Sequence, residues 1–249
     1  MINSYVSIDL ETSGLDPKQD RILEIAAIKV IDGEVADTYE TLVDAGMHLS
    51  EQVVSLTGIS EEMTKKGVEV DEAIRKCVEF IGDMPILGHC IQFDYSFLKR
   101  AAVNHGLTFE KEGIDTLRIA RKVLPQLESR GLSVLCEYYQ IPLELHHRAM
   151  SDAGATFQLY RRLQKEFGET FPELFETKPL IYQVKKESPA TKAQKRHLKD
   201  LLKYHRIELD KDPNTLTKNE ASRYIDRIIL EYGRLQKGQP QFEKQSAHE

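Results

Sequence analysis

The sequence predicts an α/β fold, in which a mixed sheet is flanked by helices, with a small all-α module after it. Two observations predict this fold. Strand-like segments come first and then alternate with helical patterns, and the last quarter of the chain shows helical periodicity alone. A length of 249 residues accommodates one large domain and one small module. The hydrophobic share of 41% and the charged share of 30% are typical of a globular chain with a packed core.

Three antiparallel strands are predicted at the start. Residues 5–10 form an apolar run that ends in a turn-forming segment, and residues 22–31 are rich in Ile, Val and Ala. Asp32 and Gly33 separate this second run from the segment that begins at Val35, and Asp-Gly between two such runs is a hairpin signal. The chain therefore opens as a three-stranded meander.

Helices and a short strand follow. The spacing of apolar residues predicts helices over residues 70–81, 93–105, 117–124, 132–139 and 151–167, with a strand at 85–89 between the first two. Because this succession follows strands with helices, it predicts a sheet covered by helices, with parallel strands after the first three. We assign residues 1–176 to this first domain.

The remaining residues change character. Pro179 and Pro189 bracket a polar stretch, so residues 177–189 are predicted to be a linker. Helical patterns begin at Thr191 and Thr217, and Thr217 with Glu220 matches a capping box. We therefore expect a small helical module over residues 190–237 and a frayed tail over 238–249.

Composition excludes several classes of protein. No apolar run approaches the ~18 residues that a membrane span needs, and the first residues lack the basic and apolar regions of a secretory signal. The 3 cysteines (Cys77, Cys90 and Cys136) are too few and too far apart for a disulfide framework. We therefore expect a cytoplasmic protein with reduced thiols.

Charge is distributed unevenly along the chain. Residues 1–177 contain 18 Lys and Arg against 30 Asp and Glu, whereas residues 178–237 contain 15 against 8. A basic module is weak evidence for a polyanionic partner, because Lys and Arg neutralise phosphates and release counterions. The alternative, a lysine-rich helix face exposed to solvent, is equally compatible with the sequence.

A pair of carboxylates ends the first predicted strand. Asp9 and Glu11 lie two residues apart, so strand alternation places both side chains on the same face. Two adjacent carboxylates repel, and burying them unpaired is costly, whereas a divalent cation such as Mg²⁺ or Mn²⁺ would stabilise them. Taken alone, the pair is more often two solvated acids at a strand end.

Two further acids and a histidine strengthen the hypothesis of a metal site. Asp94 and Asp152 each lie near the start of a predicted helix, where a single Asp is usually a cap. Together the four acids could hold two metal ions for phosphodiester hydrolysis. A loop histidine just before Asp152 could deprotonate the attacking water, and spacing alone does not choose between His146 and His147.

Three segments resemble the three motifs of the DEDDh (DnaQ-like) exonuclease family, in the family's order and at its spacing. They are residues 9–15 (DLETSGL), 88–94 (GHCIQFD) and 147–153 (HRAMSDA). The resemblance covers about residues 2–166 and is strongest to the exonucleases of bacterial replicative DNA polymerases. It implies a ribonuclease H-like fold and metal-dependent release of 5′-nucleoside monophosphates from a 3′ end of DNA.

The resemblance also implies a role for each matching residue. His147, rather than His146, corresponds to the general base. Thr12, Leu15 and Phe97 fall near the family's pocket for the 3′-terminal nucleotide, although core packing is the alternative for Leu15 and the favoured one for Phe97. Cys90 departs from the family, which commonly has Asn there. The acids implied as ligands of two Mg²⁺ or Mn²⁺ ions are Asp9, Glu11, Asp94 and Asp152.

Other functions stay open at this stage. An exoribonuclease that processes RNA would use the same residues, because DNA and RNA are distinguished by 2′-hydroxyl contacts that the sequence does not reveal. A non-catalytic nucleic-acid-binding or scaffolding protein is disfavoured by the intact set of acids and histidine. A DNA polymerase subunit is a possible partner. The module could bind nucleic acid through basic residues at helical spacing or dock a protein through its apolar face; these basic residues are Lys192, Lys195, Arg196, Lys199 and Lys203.

Overall fold

The computed structural model describes residues 2–143, 148–184, 188–209 and 212–235. The chain divides into two compact units, residues 1–185 and residues 186–249. We call them the sheet unit and the helical unit. In the described part of the chain, no helix is both long enough and apolar enough to cross a membrane.

The sheet unit begins with the predicted meander. Strands β1 (Tyr5–Thr12), β2 (Ile22–Ile31) and β3 (Glu34–Asp44) are antiparallel. Asp32 and Gly33 both have positive φ, 51° and 84°, which a tight hairpin turn between right-twisted strands requires. The hairpin predicted from Asp-Gly is therefore confirmed.

Four short strands extend this meander on both sides. The sheet has seven strands in the order β4-β3-β2-β1-β5-β6-β7, and β5 and β6 run parallel to β1. The predicted fold, antiparallel strands followed by parallel ones, is thus confirmed. The added strands are β4 (Val68–Glu69), β5 (Ile86–Gly88), β6 (Glu112–Asp115) and β7 (Lys178–Pro179).

Strand β7 lies inside the segment predicted as a linker. Lys178 and Pro179 pair antiparallel with β6 at the edge of the sheet, so the sheet unit continues past residue 176. Proline is tolerated in an edge strand because its missing N–H can face away from the neighbouring strand. Pro179 therefore does not mark the end of the sheet unit.

Helices cover both faces of the sheet. All five helices predicted for this unit are present, and α1 and α2 are additional short helices, each capped by a serine side chain (Ser50 and Ser60). A 3₁₀ turn at Pro172–Phe175 follows the last helix. The helices are α1 (Glu51–Thr57), α2 (Glu61–Thr64), α3 (Val70–Ile81), α4 (Ile91–Asn104), α5 (Thr116–Val123), α6 (Leu132–Tyr139) and α7 (Ala149–Phe167).

Alternation along β1 divides its side chains between two cores. Val6, Ile8 and Leu10 pack in the cluster that includes α3 and α4. Tyr5 packs in the cluster that includes α5, α6 and α7, and the Ser7 hydroxyl donates to the Ala153 carbonyl of α7 at 2.8 Å. Odd-numbered residues of β1, which include Asp9 and Glu11, therefore face the α7 side.

Within its described residues, 188–209 and 212–235, the helical unit contains the helices α8 (Lys192–His205) and α9 (Lys218–Tyr232). Each helix begins with a full capping box, Thr191 with Gln194 in α8 and Thr217 with Glu220 in α9. Only the second of these capping boxes was predicted from the sequence. The tail predicted over residues 238–249 lies outside the described residues. The small core contains Ala190, Leu198, Leu201, Leu216, Ala221 and Ile228.

Candidate active site

Three of the predicted acids meet where β1 ends and α7 begins. Asp9 and Glu11 come from β1, and Asp152 comes from the first turn of α7. One carboxylate oxygen from each residue lies within 4.8 Å of one from each of the others. Strand alternation explains the pairing of the first two, and the packing of α7 on that face of β1 adds the third.

Asp94 reaches the same place from the other side of β1. It lies in the first turn of α4, is buried, and accepts a hydrogen bond from the Leu10 backbone N–H at 3.1 Å. Leu10 is the residue between Asp9 and Glu11, so this bond fixes the backbone that carries both. Asp94 therefore lies beside the three-acid group, close enough for its charge to act on Asp9.

Burial and mutual repulsion make these carboxyls hard to ionise. Burial, and then the charges of Asp94, Asp152 and Glu11, raise the pKa of Asp9 well above its usual range. Burial followed by the charge of Asp152 raises the pKa of Glu11 to about 8, although Arg148 opposes that shift. Burial raises the pKa of Asp94 to about 8. A divalent cation fits this group, because hard oxygen donors with concentrated negative charge are what such ions bind.

A buried ion pair that the sequence analysis missed fixes the start of α7. Glu24 of β2 lies opposite Glu11 in the β1–β2 register and is fully buried. Its carboxylate accepts hydrogen bonds from Arg148 Nη2 at 2.6 Å and from the Ala149 backbone N–H at 3.0 Å. We call Glu24 and Arg148 the brace.

The brace also connects to the acid from α7. The Arg148 carbonyl accepts the backbone N–H of Asp152 at 3.1 Å, so one residue joins β2 to the turn that carries Asp152. The available sequence signal was Glu24 itself, which is a charged residue inside the apolar run ILEIAAIKV. Its partner, 124 residues away, could not be identified from that run.

The second motif is held by a histidine and an aspartate. His89 lies 2.9 Å through Nδ1 from the Thr116 hydroxyl and 2.9 Å through Nε2 from the Arg130 carbonyl. Burial lowers the pKa of His89, so its neutral form is favoured. Asp115 accepts the Cys90 backbone N–H at 3.0 Å and caps α5. These contacts fix the turn that precedes Asp94.

Cys90 occupies the left-handed region of the backbone, with φ of 71°. Asn tolerates this conformation better than most residues with a side chain. This is a backbone reason for the Asn that the family commonly has here. Cys90 is exposed. It is the N-cap residue of α4, but its side chain makes no capping hydrogen bond.

The remaining predicted site residues lie in different settings. The Thr12 hydroxyl donates to the Gly14 carbonyl at 2.7 Å in the turn after β1. Leu15 is 84% exposed, so it is not a core residue. Phe97 is 3% exposed and packs in the core with Phe93, and this burial favours the core-packing alternative over substrate contact. His147, like His146, lies outside the described residues.

Comparisons with known proteins identify the class of protein to which this chain belongs. The exonuclease family (RNase_T) matches residues 6–160. The chain therefore belongs to this family, and the DEDDh resemblance is confirmed.

Individual relatives are long proteins. DNA polymerase III PolC-type from Clostridium perfringens is 34% identical over 167 residues, which are 67% of this chain and 12% of that protein. The same protein from Halalkalibacterium halodurans is 37% identical over 168 residues, again 67% of this chain and 12% of that protein. The chain thus spans about an eighth of the length of these relatives.

Solved structures show the same fold. Exonuclease X in complex with 5′ overhanging duplex DNA is 26% identical with a TM-score of 0.55, and the match covers 68% of this chain and 96% of that one. Escherichia coli Exonuclease I in complex with a dT13 oligonucleotide is 18% identical with a TM-score of 0.62, covering 70% and 44%. The sheet unit is an exonuclease domain with a ribonuclease H-like fold.

Proposed function

We propose that this chain is a 3′–5′ exonuclease that releases 5′-nucleoside monophosphates from DNA with two bound divalent ions. The observation that carries the proposal is the convergence of Asp9, Glu11 and Asp152 within 4.8 Å, with Asp94 bonded to the intervening backbone. Membership of the exonuclease family supports it, as does the similarity to DNA polymerases and to an exonuclease bound to DNA.

Each residue takes a distinct role in this proposal. Asp9, Glu11 and Asp152 hold the ions, which we propose are Mg²⁺ or Mn²⁺, and Asp94 orients β1 and completes the acidic set. When bound, the ions supply activation of the attacking water and charge stabilisation at the leaving oxygen. His147, which directly precedes Arg148, accepts the proton of that water at an imidazole nitrogen.

The exposed turn after β1 is proposed to contact the nucleotide that is removed. Thr12 and Leu15 lie within a few residues of Asp9 and Glu11 along the chain, and Leu15 is 84% exposed. An exposed apolar side chain in this turn suits the flat face of a terminal base. Phe97 is buried in the core, so we propose no direct contact between it and the nucleotide.

Proofreading or repair in the cytoplasm, with a DNA polymerase subunit as partner, is the setting that we propose. Its support is the similarity to PolC-type polymerases over two thirds of this chain. Because the chain spans about an eighth of those relatives, the setting is a separate proposal from the chemistry.

The direct test measures mononucleotide release by the full chain. Single-stranded DNA and RNA, labelled at the 3′ or the 5′ end, are incubated with Mg²⁺, Mn²⁺ or EDTA. We expect release from the 3′ end of DNA that requires metal and falls at least about 100-fold in Asp9→Asn, because a ligand charge is lost. Asp83→Asn, which changes an exposed acid outside the site, is the matched control.

Other outcomes decide between the alternatives. Faster release from RNA than from DNA would favour the exoribonuclease. Absence of release by the folded protein with either metal would reject the enzymatic proposal and leave a binding role. Equal loss in Asp9→Asn and Asp83→Asn would reject the assignment of the site.

A further inference from the structure

One face of α8 in the helical unit carries five cationic side chains. Spacings of three and four residues place them on the same side of a helix. At 1.5 Å per residue this basic face is about 17 Å long. Its members are Lys192, Lys195, Arg196, Lys199 and Lys203.

This basic face is not used to build the helical unit. The buried residues of α8, Leu198 and Leu201, lie on the opposite side of the helix and pack against α9. Lys192, Arg196 and Lys203 are exposed, and their side chains form no hydrogen bond or ion pair with the described part of the chain. Their charges are therefore available to a partner.

The charges on the basic face are not neutralised within the described residues, where none of the five forms an ion pair. Lys195 Nζ donates to the Asn214 carbonyl at 2.6 Å, and Lys199 Nζ donates to Asn214 Oδ1 at 2.8 Å. Both acceptors are neutral, so these bonds hold two ammonium groups in place and leave their charge intact. The helix itself contains one acid, Asp200.

The position of three of the five cations opposes the stability of the helix. Lys192, Lys195 and Arg196 lie in the first five residues of α8, and no acid lies in its first turn. The helix macrodipole favours acids there and disfavours cations. Cations at the start of a helix that no ion pair compensates are typical of residues retained for binding.

We propose that the basic face of α8 binds the sugar–phosphate backbone of single-stranded DNA as a second contact, separate from the active site. A row of cations at short, regular intervals matches a chain of phosphates, each of which carries one charge. The choice of DNA rests on the proposed function, and holding the strand would raise its effective concentration at the nuclease.

The test measures binding of the full chain to fluorescein-labelled oligothymidylate in EDTA at several KCl concentrations. The triple variant Lys192→Gln/Arg196→Gln/Lys203→Gln removes three cations that form no hydrogen bond or ion pair within the described residues. The control Arg161→Gln/Arg162→Gln/Lys165→Gln removes the same charge from an exposed face of α7 in the sheet unit. A charge-retaining variant, Lys192→Arg/Arg196→Lys/Lys203→Arg, tests whether charge alone is required.

We expect the α8 variant to bind about 10-fold more weakly at moderate salt, and its plot of log affinity against log salt to be shallower by about 2, since each single-strand phosphate contact contributes about 0.7. The charge-retaining variant should bind as the parent does, and the α7 control should keep most of the affinity and the slope. Equal losses in the α7 and α8 variants, or an α8 variant that binds like the parent, would overturn the proposal. If the α8 variant binds DNA like the parent, a protein becomes the expected partner of the basic face.

Hydrolysis of a trinucleotide separates this proposal from the proposed function. The α8 variant should cleave so short a substrate at the parental rate. The parent protein could cleave no substrate while its DNA binding still depends on the basic face. That result would reject the nuclease proposal and support the proposal that the basic face binds DNA. If the parent cleaves DNA and the α8 variant binds DNA as the parent does, only the proposal for the basic face is rejected.

Discussion

The active site and the basic face of α8 both concentrate charges of one sign, but in opposite surroundings. Four acids lie partly or fully buried between β1, α4 and α7, where burial raises the pKa values of Asp9, Glu11 and Asp94. Four of the five cations of α8 are exposed. Buried like charges interact strongly and need a counter-charge at short range, whereas exposed ones are screened by salt.

This difference predicts what each region binds. A buried acidic cluster suits a small divalent cation, and its binding should be weakly sensitive to monovalent salt. An exposed basic face suits an extended polyanion, and its binding should weaken steeply with salt. Substitutions in the buried region test this difference.

Glu11→Gln should cause the largest loss of activity and should raise the stability of the metal-free protein. Removing a ligand charge should lower kcat at least about 100-fold with either metal. Removing one of several repelling buried carboxylates should raise the Tm of the metal-free protein at pH 8 by about 2–4 °C. Parallel nuclease assays and thermal melts in EDTA check both, and a variant that loses activity and stability together would contradict the repulsion argument.

Glu24→Gln should reduce both kcat and stability. The neutral side chain no longer balances Arg148, so we expect a loss of about 2–3 kcal/mol, reduced from the value for fully buried pairs because Arg148 is partly exposed. Because the brace fixes the turn that carries Asp152, kcat and Mn²⁺ affinity should fall about 10- to 100-fold. Urea unfolding, turnover and Mn²⁺ titration measure the three effects.

Two further variants separate positioning by the brace from simple stabilisation. Glu24→Gln/Arg148→Gln removes both partners and should recover much of the stability without recovering kcat. Glu110→Gln, which breaks the ion pair with the buried Lys99, should reduce stability and leave kcat unchanged. Full recovery of kcat in the double variant would show that the brace acts only through stability.

The pH dependence of stability follows from the raised pKa values. Glu11 and Asp94 have pKa values of about 8 in the folded, metal-free protein, above the value of about 4 for carboxyls in an unfolded chain. The folded state therefore holds protons that the unfolded chain has released. This contribution to stability is complete below about pH 4 and is lost as the pH rises through 8.

Thermal melts in EDTA should therefore show a Tm that falls by at least about 4 °C between pH 6 and pH 9. Mg²⁺ should restore the Tm most strongly at high pH, because it binds the deprotonated carboxylates. The variant Glu11→Gln/Asp94→Asn should give a flatter profile. A Tm that rises over this interval in EDTA would contradict the assigned direction.

Cys90→Asn should produce the smallest change. Asn fits the left-handed backbone at this position better than Cys, so we expect a gain of about 0.5–1 kcal/mol with kcat unchanged. Cys90→Val, which places a β-branched residue at positive φ, should reduce stability instead. Urea unfolding of the two variants checks the sign, and a gain in both would show that backbone conformation is not the cause.

The sequence by itself determined the local elements and the pairing of the first two acids. The Asp-Gly hairpin, the helix at Val70–Ile81 and the shared face of Asp9 and Glu11 all follow from neighbouring residues, because turn chemistry and periods of 2 and 3.6 are local properties. The family resemblance supplied roles that periodicity does not. The role of His147 stays a prediction.

Tertiary structure alone decided which distant residues meet. Strands β4, β6 and β7 show no strand pattern that predicts them, and they form because neighbouring strands offer hydrogen bonds. The burial of Phe97 and the exposure of Leu15 depend on packing across the whole unit. Asp152 reaches Asp9, and Arg148 reaches Glu24, only because α7 lies against the sheet. Such contacts join residues more than a hundred positions apart, and no local period encodes them.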